Sequence, residues 1–321
     1  MTSSVQNEKN LDFLLHLQSD FPVISRPFQA LAEKTGLTER KVINCLQSSI
    51  ENHTVRTFGP VFDPKKLGYS STLVAAEVEK ERIVELAAVL LEKREITHNY
   101  LRDNEVNLWF TITALSEDII KDNFFQVRNF PGVKQVFNLP VLNVYKISAV
   151  FGVEHKAGSY GTDPVKPLSD MEKKIVKALQ MEFPLDEKPF SIIAETANTT
   201  ESALINTVNK WLSEGIIRRF GVRLNHRKVG YTVNTLAAWQ GEHIDTWGKK
   251  FAEISAVSHC YRRKSHNDWP YELYTMVHAK TEKEMNNIIN SMRDTAQGAS
   301  MIALKTLNEL KKTSMKYFLE E

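Results

Sequence analysis

Two short segments of the chain carry the same three chemically useful side chains at the same spacing. They are His98, Tyr100 and Arg102 in one segment and His259, Tyr261 and Arg263 in the other. Both segments are typical of β-strands, in which alternate side chains point to one face, so each trio shares a face. An imidazole transfers protons near neutral pH, and a guanidinium binds carboxylates through paired hydrogen bonds. The pattern predicts a site for an anion and a proton; the alternative is that both copies simply inherit the trio.

A basic segment lies in the second half of the chain. It holds, within fourteen residues, Arg218, Arg219, Arg223, His226, Arg227 and Lys228. We predict that it spans two strands and their hairpin and forms an anion-binding surface. The alternative is that Arg227 and Lys228 are solvated residues at the hairpin tip. The matching stretch of the first half has no His at the position of His226, so the second half is expected to carry the main site.

Two aromatic residues, Trp269 and Tyr271, follow the second trio. We expect them to pack against a flat ligand, with core packing as an equal alternative. The chain shows no Gly-rich phosphate loop, no nucleophile elbow and no Cys or His spacing typical of a structural metal. Hydride transfer, phosphoryl transfer and triad hydrolysis therefore lack their usual sequence marks.

The elements that position these residues come from a tandem duplication. Phe58-Gly59 recurs as Phe220-Gly221, and Gly68-Tyr69 recurs as Gly230-Tyr231, both at an offset of 162 residues. A period this long indicates duplicated domains, because solenoid repeats run about 20 to 50 residues. We expect the two copies to form a pseudo-symmetric pair within one chain, an intramolecular pseudo-dimer.

Each copy is predicted to contain two domains of an α+β fold. Three helix patterns come first, and the first helix of the second copy has a capping box at Ser169 and Glu172. A strand pair, 216–223 with 231–239 in the second copy, completes a winged helix-turn-helix. The β-α-β-β-α-β order of a ferredoxin-like domain follows. The predicted boundaries are 11–68 and 169–230 for the winged domains, 69–150 and 231–321 for the ferredoxin-like domains, and 151–168 for the linker.

Composition limits the partners of the protein. Lys and Arg number 41 against 39 Asp and Glu in 321 residues, so the net charge of +2 gives no general affinity for polyanions. The recognition helix of the second copy is near neutral, with Lys210 offset by Glu201, and we expect no specific nucleic-acid partner. Cys45 and Cys260 occupy non-corresponding positions, which predicts neither a disulfide nor a cysteine metal site. No stretch approaches the ~18 apolar residues of a membrane span, and we expect a cytoplasmic protein.

These motifs together resemble the sirohaem decarboxylases, a family with an Lrp/AsnC-like architecture. The second half resembles the B-type subunit through 217–221, 226–230, 258–263 and 268–271. The first half resembles the A-type subunit through 58–59, 62–63, 66–69, 98–102 and 107–110. The whole chain resembles the fused form found in some haem d1 pathways, and the resemblance implies that the sheets of the two halves pack face to face.

The resemblance implies a carbon-carbon lyase that removes carbon dioxide from the C12 and C18 acetates of sirohaem, giving 12,18-didecarboxysirohaem, in haem d1 or alternative haem biosynthesis. The conjugated macrocycle can hold the electron pair left behind, so no cofactor beyond the iron-containing substrate is expected. The catalytic candidates are then His226, His259 and Tyr261. The substrate-binding candidates are Arg218, Arg219, Arg223, Lys228, Arg263, Trp269, Tyr271, His98, Tyr100 and Arg102.

Several alternatives stay open at this point. His226 or His259 is either the proton donor or an axial ligand of the substrate iron. The chain has one active site or two, and it forms further homo-oligomers or does not. A different class of function is an Lrp/AsnC-like transcription regulator that responds to a tetrapyrrole or an amino acid, for which a DNA-reading helix is required.

Overall fold

The computed structural model describes residues 10–148, 150 and 167–319, which form two compact units. The first unit contains the described residues of Met1–Leu67, Val150–Gly230 and Lys316–Glu321, and the second contains those of Gly68–Ala149 and Tyr231–Met315. Each unit therefore combines corresponding parts of both copies. Most of the predicted linker, residues 151–166, lies outside the described residues.

The helices and strands follow the predicted order in both copies. In chain order they are α1 (10–16), α2 (Pro27–Thr35), α3 (Glu39–Glu51), β1 (Val55–Phe62), β2 (Ser70–Val78), α4 (Ile83–Glu92), β3 (Ile96–Arg102), β4 (Leu108–Ala114), α5 (Glu117–Arg128), β5 (Val133–Ile147), α6 (Asp170–Leu179), α7 (Pro189–Thr196), α8 (Glu201–Ser213), β6 (Ile217–Leu224), β7 (Val233–Gln240), α9 (Ile244–Glu253), β8 (Val257–Arg263), β9 (Leu273–Ala279), α10 (Glu282–Thr295) and β10 (Ser300–Lys312). Within the described ranges, no helix is both long and apolar enough to span a bilayer.

Local sequence explains how the helices begin and end. The predicted capping box at the start of α6 is confirmed, since Ser169 and Glu172 each accept a hydrogen bond from the other's backbone N–H. Thr200 caps α8 by accepting a hydrogen bond from the backbone N–H of Ala203. Helix α2 ends at Gly36, whose φ of 68° is a left-handed conformation that glycine adopts at low cost.

A cluster of six phenylalanines forms the core of the first unit. Its members are Phe21, Phe28 and Phe58 from the first copy and Phe183, Phe190 and Phe220 from the second, all at most 8% exposed. Neighbouring ring centroids lie between 4.5 and 6.4 Å apart, from the pair Phe58 and Phe183 to the pair Phe21 and Phe190. Such pairs add about 0.5–1.5 kcal/mol each beyond the burial of their area. This Phe cluster joins the helical modules of the two copies.

The predicted wing hairpin is wrong. Strand β6 pairs with β1 of the other copy, with Gly59 opposite Gly221, and not with the strand that follows it. That following strand, β7, begins at Val233 and belongs to the second unit. On the side of α1, the backbone N–H of Val222 donates to the carbonyl of Leu17 at 3.1 Å. Because β6 finds its hydrogen-bond partners in the first copy, it needs no hairpin partner of its own.

The second unit is an eight-stranded closed barrel with four strands from each copy. Its strand order is β10-β3-β4-β2-β5-β8-β9-β7. Each copy alone has the ferredoxin-like order, and the two sheets join where β5 pairs with β8 and where β10 pairs with β3. The sheets of the two halves thus share hydrogen-bonded edges in addition to the face-to-face packing that the resemblance implied.

The two strands that close the barrel are unusually long. β5 has 15 residues and β10 has 13, and the first part of each pairs within its own copy while the last part crosses to the other. The barrel interior is packed with side chains from both copies, including Trp109, Phe137, Leu139, Trp269, Tyr274 and Leu304. The helices α4 and α5 cover one outer face, and α9 and α10 cover the other.

Candidate active site

The two His-Tyr-Arg trios both face the barrel interior. Tyr100 on β3 lies opposite Trp109 of β4, and Tyr261 on β8 lies opposite Tyr274 of β9; Trp109 and Tyr274 belong to the interior core. Three strands separate β3 from β8 on either side of the barrel. The trios therefore occupy opposite walls, as the pseudo-symmetry of the duplication requires.

Each trio forms a short stack. In the first copy the ring centroids of His98 and Tyr100 lie 6.3 Å apart, and the Arg102 guanidinium carbon lies 5.3 Å from the Tyr100 ring. In the second copy the corresponding distances are 5.9 Å for the rings and 4.8 Å for Arg263 over Tyr261. A cation at this range is attracted by the face of the ring. The tyrosine therefore helps to orient the arginine in both copies.

The two arginines are held by equivalent backbone carbonyls. An Nη1–H of Arg102 donates to the carbonyl of Leu304 at 3.0 Å, and an Nη1–H of Arg263 donates to that of Leu139 at 2.8 Å. Burial lowers the pKa of Arg102 to about 10 and also lowers that of Arg263. A guanidinium keeps its charge in proteins, and each of these has a buried Nε–H with no hydrogen-bond partner among the described residues. A buried cation with a spare donor is suited to an anionic group.

Each histidine is oriented by the hydroxyl of the preceding residue. Thr97 Oγ1 lies 2.9 Å from Nδ1 of His98, and Ser258 Oγ lies 2.8 Å from Nδ1 of His259. The Nε2 atom of each ring is on the side away from that hydroxyl. Sequence reasoning missed Thr97 and Ser258, although a hydroxyl at the same place in both copies is a visible signal.

The surroundings of the two trios differ in charge. In the first copy β10 places Glu309 opposite Tyr100 and Lys312 opposite His98, and these two charged residues form an ion pair at 3.4 Å. In the second copy β5 places apolar side chains there, with Val144 opposite Tyr261 and Ile147 opposite His259. The neighbouring strand thus places a carboxylate beside the first trio and an apolar pair beside the second, a difference that sequence reasoning did not use.

Trp269 lies in the core. It belongs to residues 264–272 between β8 and β9, which are matched by only 103–107 in the first copy. It is 5% exposed, its ring lies 5.6 Å from that of Trp109, and its Nε1–H donates to the Tyr274 hydroxyl at 2.8 Å. This position favours the core-packing interpretation for Trp269. Tyr271 is half-buried, with its ring 5.0 Å from Trp269.

The basic segment does not form the predicted hairpin surface. Arg218 pairs with Asp63 at 3.1 Å, and the Nε–H of Arg223 donates to the Thr57 hydroxyl at 2.7 Å. Arg219 is 9% exposed and donates to the carbonyls of Gln18 and Val222, and burial lowers its pKa to about 10. Because β6 pairs with β1, its arginines reach first-copy groups in place of a hairpin partner.

The predicted site residues divide between the two units. Arg218, Arg219, Arg223, His226 and Lys228 belong to the first unit, whereas both trios, Trp269 and Tyr271 belong to the second. His226 follows β6 in a turn and is 2% exposed, while Arg227 and Lys228 beside it are exposed. The structure brings each trio together within itself and places the basic segment in the first unit.

The cysteines are poor candidates for chemistry. Burial raises the pKa of the Cys260 thiol to about 12 despite the lowering effect of Lys146, and burial also raises the pKa of Cys45. In the part of the chain that the structure describes, no cluster of three or more His, Cys, Asp or Glu side chains is arranged to hold a metal ion.

Both recognition helices are engaged at their N-terminal ends. In α8, the Ser25 hydroxyl donates to Glu201 at 2.9 Å at the N-terminal end, and further along the helix the Asn209 amide donates to the carbonyl of Val23 at 3.1 Å. In α3, Glu39 pairs with Arg26 at 2.6 Å, and Arg26 also reaches Glu187 of the second copy. A helix that reads the major groove uses its N-terminal residues on base edges. Here Glu201 contacts the first copy, and Glu39 pairs with Arg26 of its own copy.

We therefore expect duplex DNA to bind weakly and without sequence preference. Fluorescence anisotropy at physiological salt, with a random duplex as the control, measures this. A specific complex in the ~10⁻⁸ M range, typical of regulators, would contradict the expectation.

Comparison with known proteins places this arrangement in a family. Residues 13–56 and 172–218 match the family described as "Siroheme decarboxylase NirDL-like HTH domain", and 66–146 and 228–311 match "AsnC-like ligand binding domain". The chain is 30% identical over 312 residues to a sirohaem decarboxylase of Hydrogenobacter thermophilus, covering 95% of this chain and 93% of that protein. It is 37% identical over 153 residues to a sirohaem decarboxylase beta subunit of Desulfovibrio desulfuricans, which covers 47% of this chain and 96% of the subunit.

Solved structures agree with this. The crystal structure of the sirohaem decarboxylase NirDL superposes with a TM-score of 0.74 at 28% identity, covering 97% of this chain and 95% of that one. A second structure of NirDL, in complex with an iron-uroporphyrin III analogue, gives the same values. The likeness covers both winged and both barrel-forming parts, and the chain belongs to the sirohaem decarboxylase family.

Proposed function

We propose that this protein converts the C12 and C18 acetate side chains of sirohaem to methyl groups with loss of carbon dioxide, giving 12,18-didecarboxysirohaem. The observation that carries the proposal is the pair of His-Tyr-Arg trios on the inner wall of the barrel, in a chain whose relatives are sirohaem decarboxylases over nearly their full length. The solved NirDL complex with an iron-uroporphyrin III analogue supports a tetrapyrrole as the ligand.

The arginines supply the binding chemistry. The rim of sirohaem carries many carboxylates, and a desolvated guanidinium binds a carboxylate more strongly than an exposed one does. Arg263 and Arg102 have this character, since burial lowers the pKa of each. We assign them to side-chain carboxylates, and we assign the more exposed Lys228 of the first unit to long-range attraction of the anionic substrate.

The histidine supplies the proton. In each step the bond between the acetate methylene carbon and its carboxylate breaks, carbon dioxide leaves, and the electron pair delocalises from the methylene carbon into the macrocycle. His259 then donates its Nε2 proton to that carbon, which becomes a methyl group. Nothing is oxidised or reduced, so we propose no cofactor beyond the iron-containing substrate. Tyr261 stacks on His259 and fixes the plane of the ring.

The second trio is the better placed of the two. The ion pair of Glu309 and Lys312 makes the surroundings of the first trio polar, whereas the apolar Val144 and Ile147 border the second. Low polarity strengthens the attraction between a carboxylate and Arg263 and favours departure of a neutral product. We therefore assign the main catalytic role to the second copy and a binding role to His98, Tyr100 and Arg102. The regulator alternative is not favoured, because the recognition helix α8 of the second copy is engaged with the first copy through Glu201 and Asn209.

The deciding experiment is anaerobic incubation of the purified protein with sirohaem alone. We expect the product mass to fall by two carbon dioxide units with no added cofactor. An unchanged mass after long incubation with folded protein contradicts the proposal, and a product short of only one unit limits the activity to a single acetate.

A further inference from the structure

One serine hydroxyl in the second copy joins two imidazoles. Ser258 Oγ lies 2.8 Å from Nδ1 of His259 and 2.9 Å from Nε2 of His278. Ser258 is 4% exposed, and its hydroxyl also lies 3.4 Å from the carbonyl of Met276. A serine hydroxyl has one proton to donate and lone pairs to accept with, so it can pass a proton from one ring to the other. We call this chain the His278-Ser258-His259 relay.

The first copy does not repeat the relay. Thr97 supplies the hydroxyl beside His98. Tyr274 corresponds to Trp109 at an offset of 165 residues, and at the same offset His278 corresponds to Thr113. Thr113 has a hydroxyl partner of its own, because its Oγ1 lies 3.0 Å from Ser71 Oγ. The second imidazole is thus a property of the copy to which the geometry assigns catalysis.

The proposed reaction creates a need for such a device. Each lost carbon dioxide consumes one proton, and two are consumed per sirohaem. The first proton leaves His259 on a half-buried strand face, so the ring must be reloaded before the second acetate reacts. His278 is half-buried, as His259 is, and as a second imidazole it can hold a proton in reserve. It lies opposite Asn234 of β7, and its backbone N–H donates to the carbonyl of Ala256.

We propose that Ser258 and His278 are positioning residues that select the reactive tautomer of His259 and restore that tautomer between the two decarboxylations. This rests on the proposed function. As His259 gives its Nε2 proton to the substrate carbon, its Nδ1 takes the Ser258 proton, and Ser258 takes the Nε2 proton of protonated His278. The substrate carbanion becomes a methyl group, His278 becomes neutral, and His259 remains neutral in its other tautomer. A solvent proton that later arrives at Nε2 of His259 reverses these shifts and recharges His278.

The test is a set of variants in single-turnover decarboxylation, each checked for sirohaem binding by spectral titration. Ser258→Ala and His278→Ala are expected to slow the reaction about 10-fold or more, below the 10²–10⁴-fold of a general acid itself. Ser258→Thr keeps the hydroxyl, as the first copy does at Thr97, and should restore most of the rate. Thr113→Ala is the matched control for His278→Ala and should stay within about twofold of the wild type.

Two readouts separate a proton relay from mere support of the fold. Added imidazole should raise the rate of His278→Ala and leave that of Ser258→Ala unchanged. The rate of the wild type in mixtures of light and heavy water should curve with isotope fraction, because several protons move, and the rate of Ser258→Ala should vary linearly. Wild-type rates in both Ala variants, or no rescue together with a linear wild-type plot, would overturn the relay. If the proposed function itself is wrong, the wild type leaves the mass of sirohaem unchanged, and this outcome is distinct from a failure of the relay.

Discussion

His259→Ala is expected to lower the single-turnover rate of sirohaem decarboxylation by about 10²-fold or more, the usual scale for loss of a general acid. The reason is that the substrate carbon then loses the imidazole that Ser258 orients and Tyr261 stacks against. Binding of sirohaem should survive, because Arg263 keeps its bond to the Leu139 carbonyl. Rapid mixing under anaerobic conditions gives the rate, and a spectral titration gives the affinity.

His98→Ala is the matched control for this variant. The same trio in the first copy borders Glu309 and Lys312, so we expect its loss to change binding or the order of the two steps more than the rate. His226→Ala, in the first unit, is expected to lose about 10²-fold if that imidazole also donates a proton. Comparable losses at His98 and His259 would mean two working sites or one shared site. A normal rate in His259→Ala would show that His259 has a structural role and does not donate the proton.

Phe21→Ala is expected to lower the free energy of unfolding by about 3–5 kcal/mol, the usual cost of removing a buried phenylalanine ring. Phe21 is 5% exposed and its ring contacts those of Phe28, Phe58, Phe183, Phe190 and Phe220. The cavity would open between the helical modules of the two copies, where neither module alone can collapse to fill it. Urea denaturation followed by circular dichroism measures the loss.

Phe125→Ala provides the comparison for that change. Phe125 lies on α5 and is 64% exposed, so its removal should alter the free energy of unfolding by no more than about 0.5 kcal/mol. A small loss in Phe21→Ala, similar to that of Phe125→Ala, would show that the Phe cluster is not what joins the copies.

Much of the fold was predictable because its determinants are local. The alternation along 94–102 and 256–263 predicted strands and placed each trio on one face, as β3 and β8 show. Ser169 and Glu172 carry a capping signal that needs no tertiary contact. The offset between the copies predicted an intramolecular pair, which the structure realises as two units that each draw on both copies.

The remainder depends on partners that local sequence does not specify. The Ile217–Leu224 strand has the alternation of a wing strand, but its hydrogen-bond partner is chosen by the approach of β1 and α1. Because β6 pairs with β1, Arg218 and Arg219 bind groups of the first unit and do not form the expected hairpin surface. The sequence around Trp269 is the same whether its side chain contacts a ligand or packs in the core, so the sequence alone does not distinguish the two. His278 was detectable only by asking where the copies differ, since Thr113 holds its place in the first copy.

The crossing of the last strand has a consequence for how the chain is made on the ribosome. β10, at Ser300–Lys312, must pair with β3 at Ile96–Arg102 before the barrel closes, so closure waits until both copies have been synthesised. Until then β3, which carries His98, has an unpaired edge that invites pairing with other chains. Contacts between such distant residues also slow folding, because the intervening loop must close first. A nascent chain of this protein therefore depends on the second copy to protect the first, and truncation before β10 should yield aggregates rather than a folded enzyme.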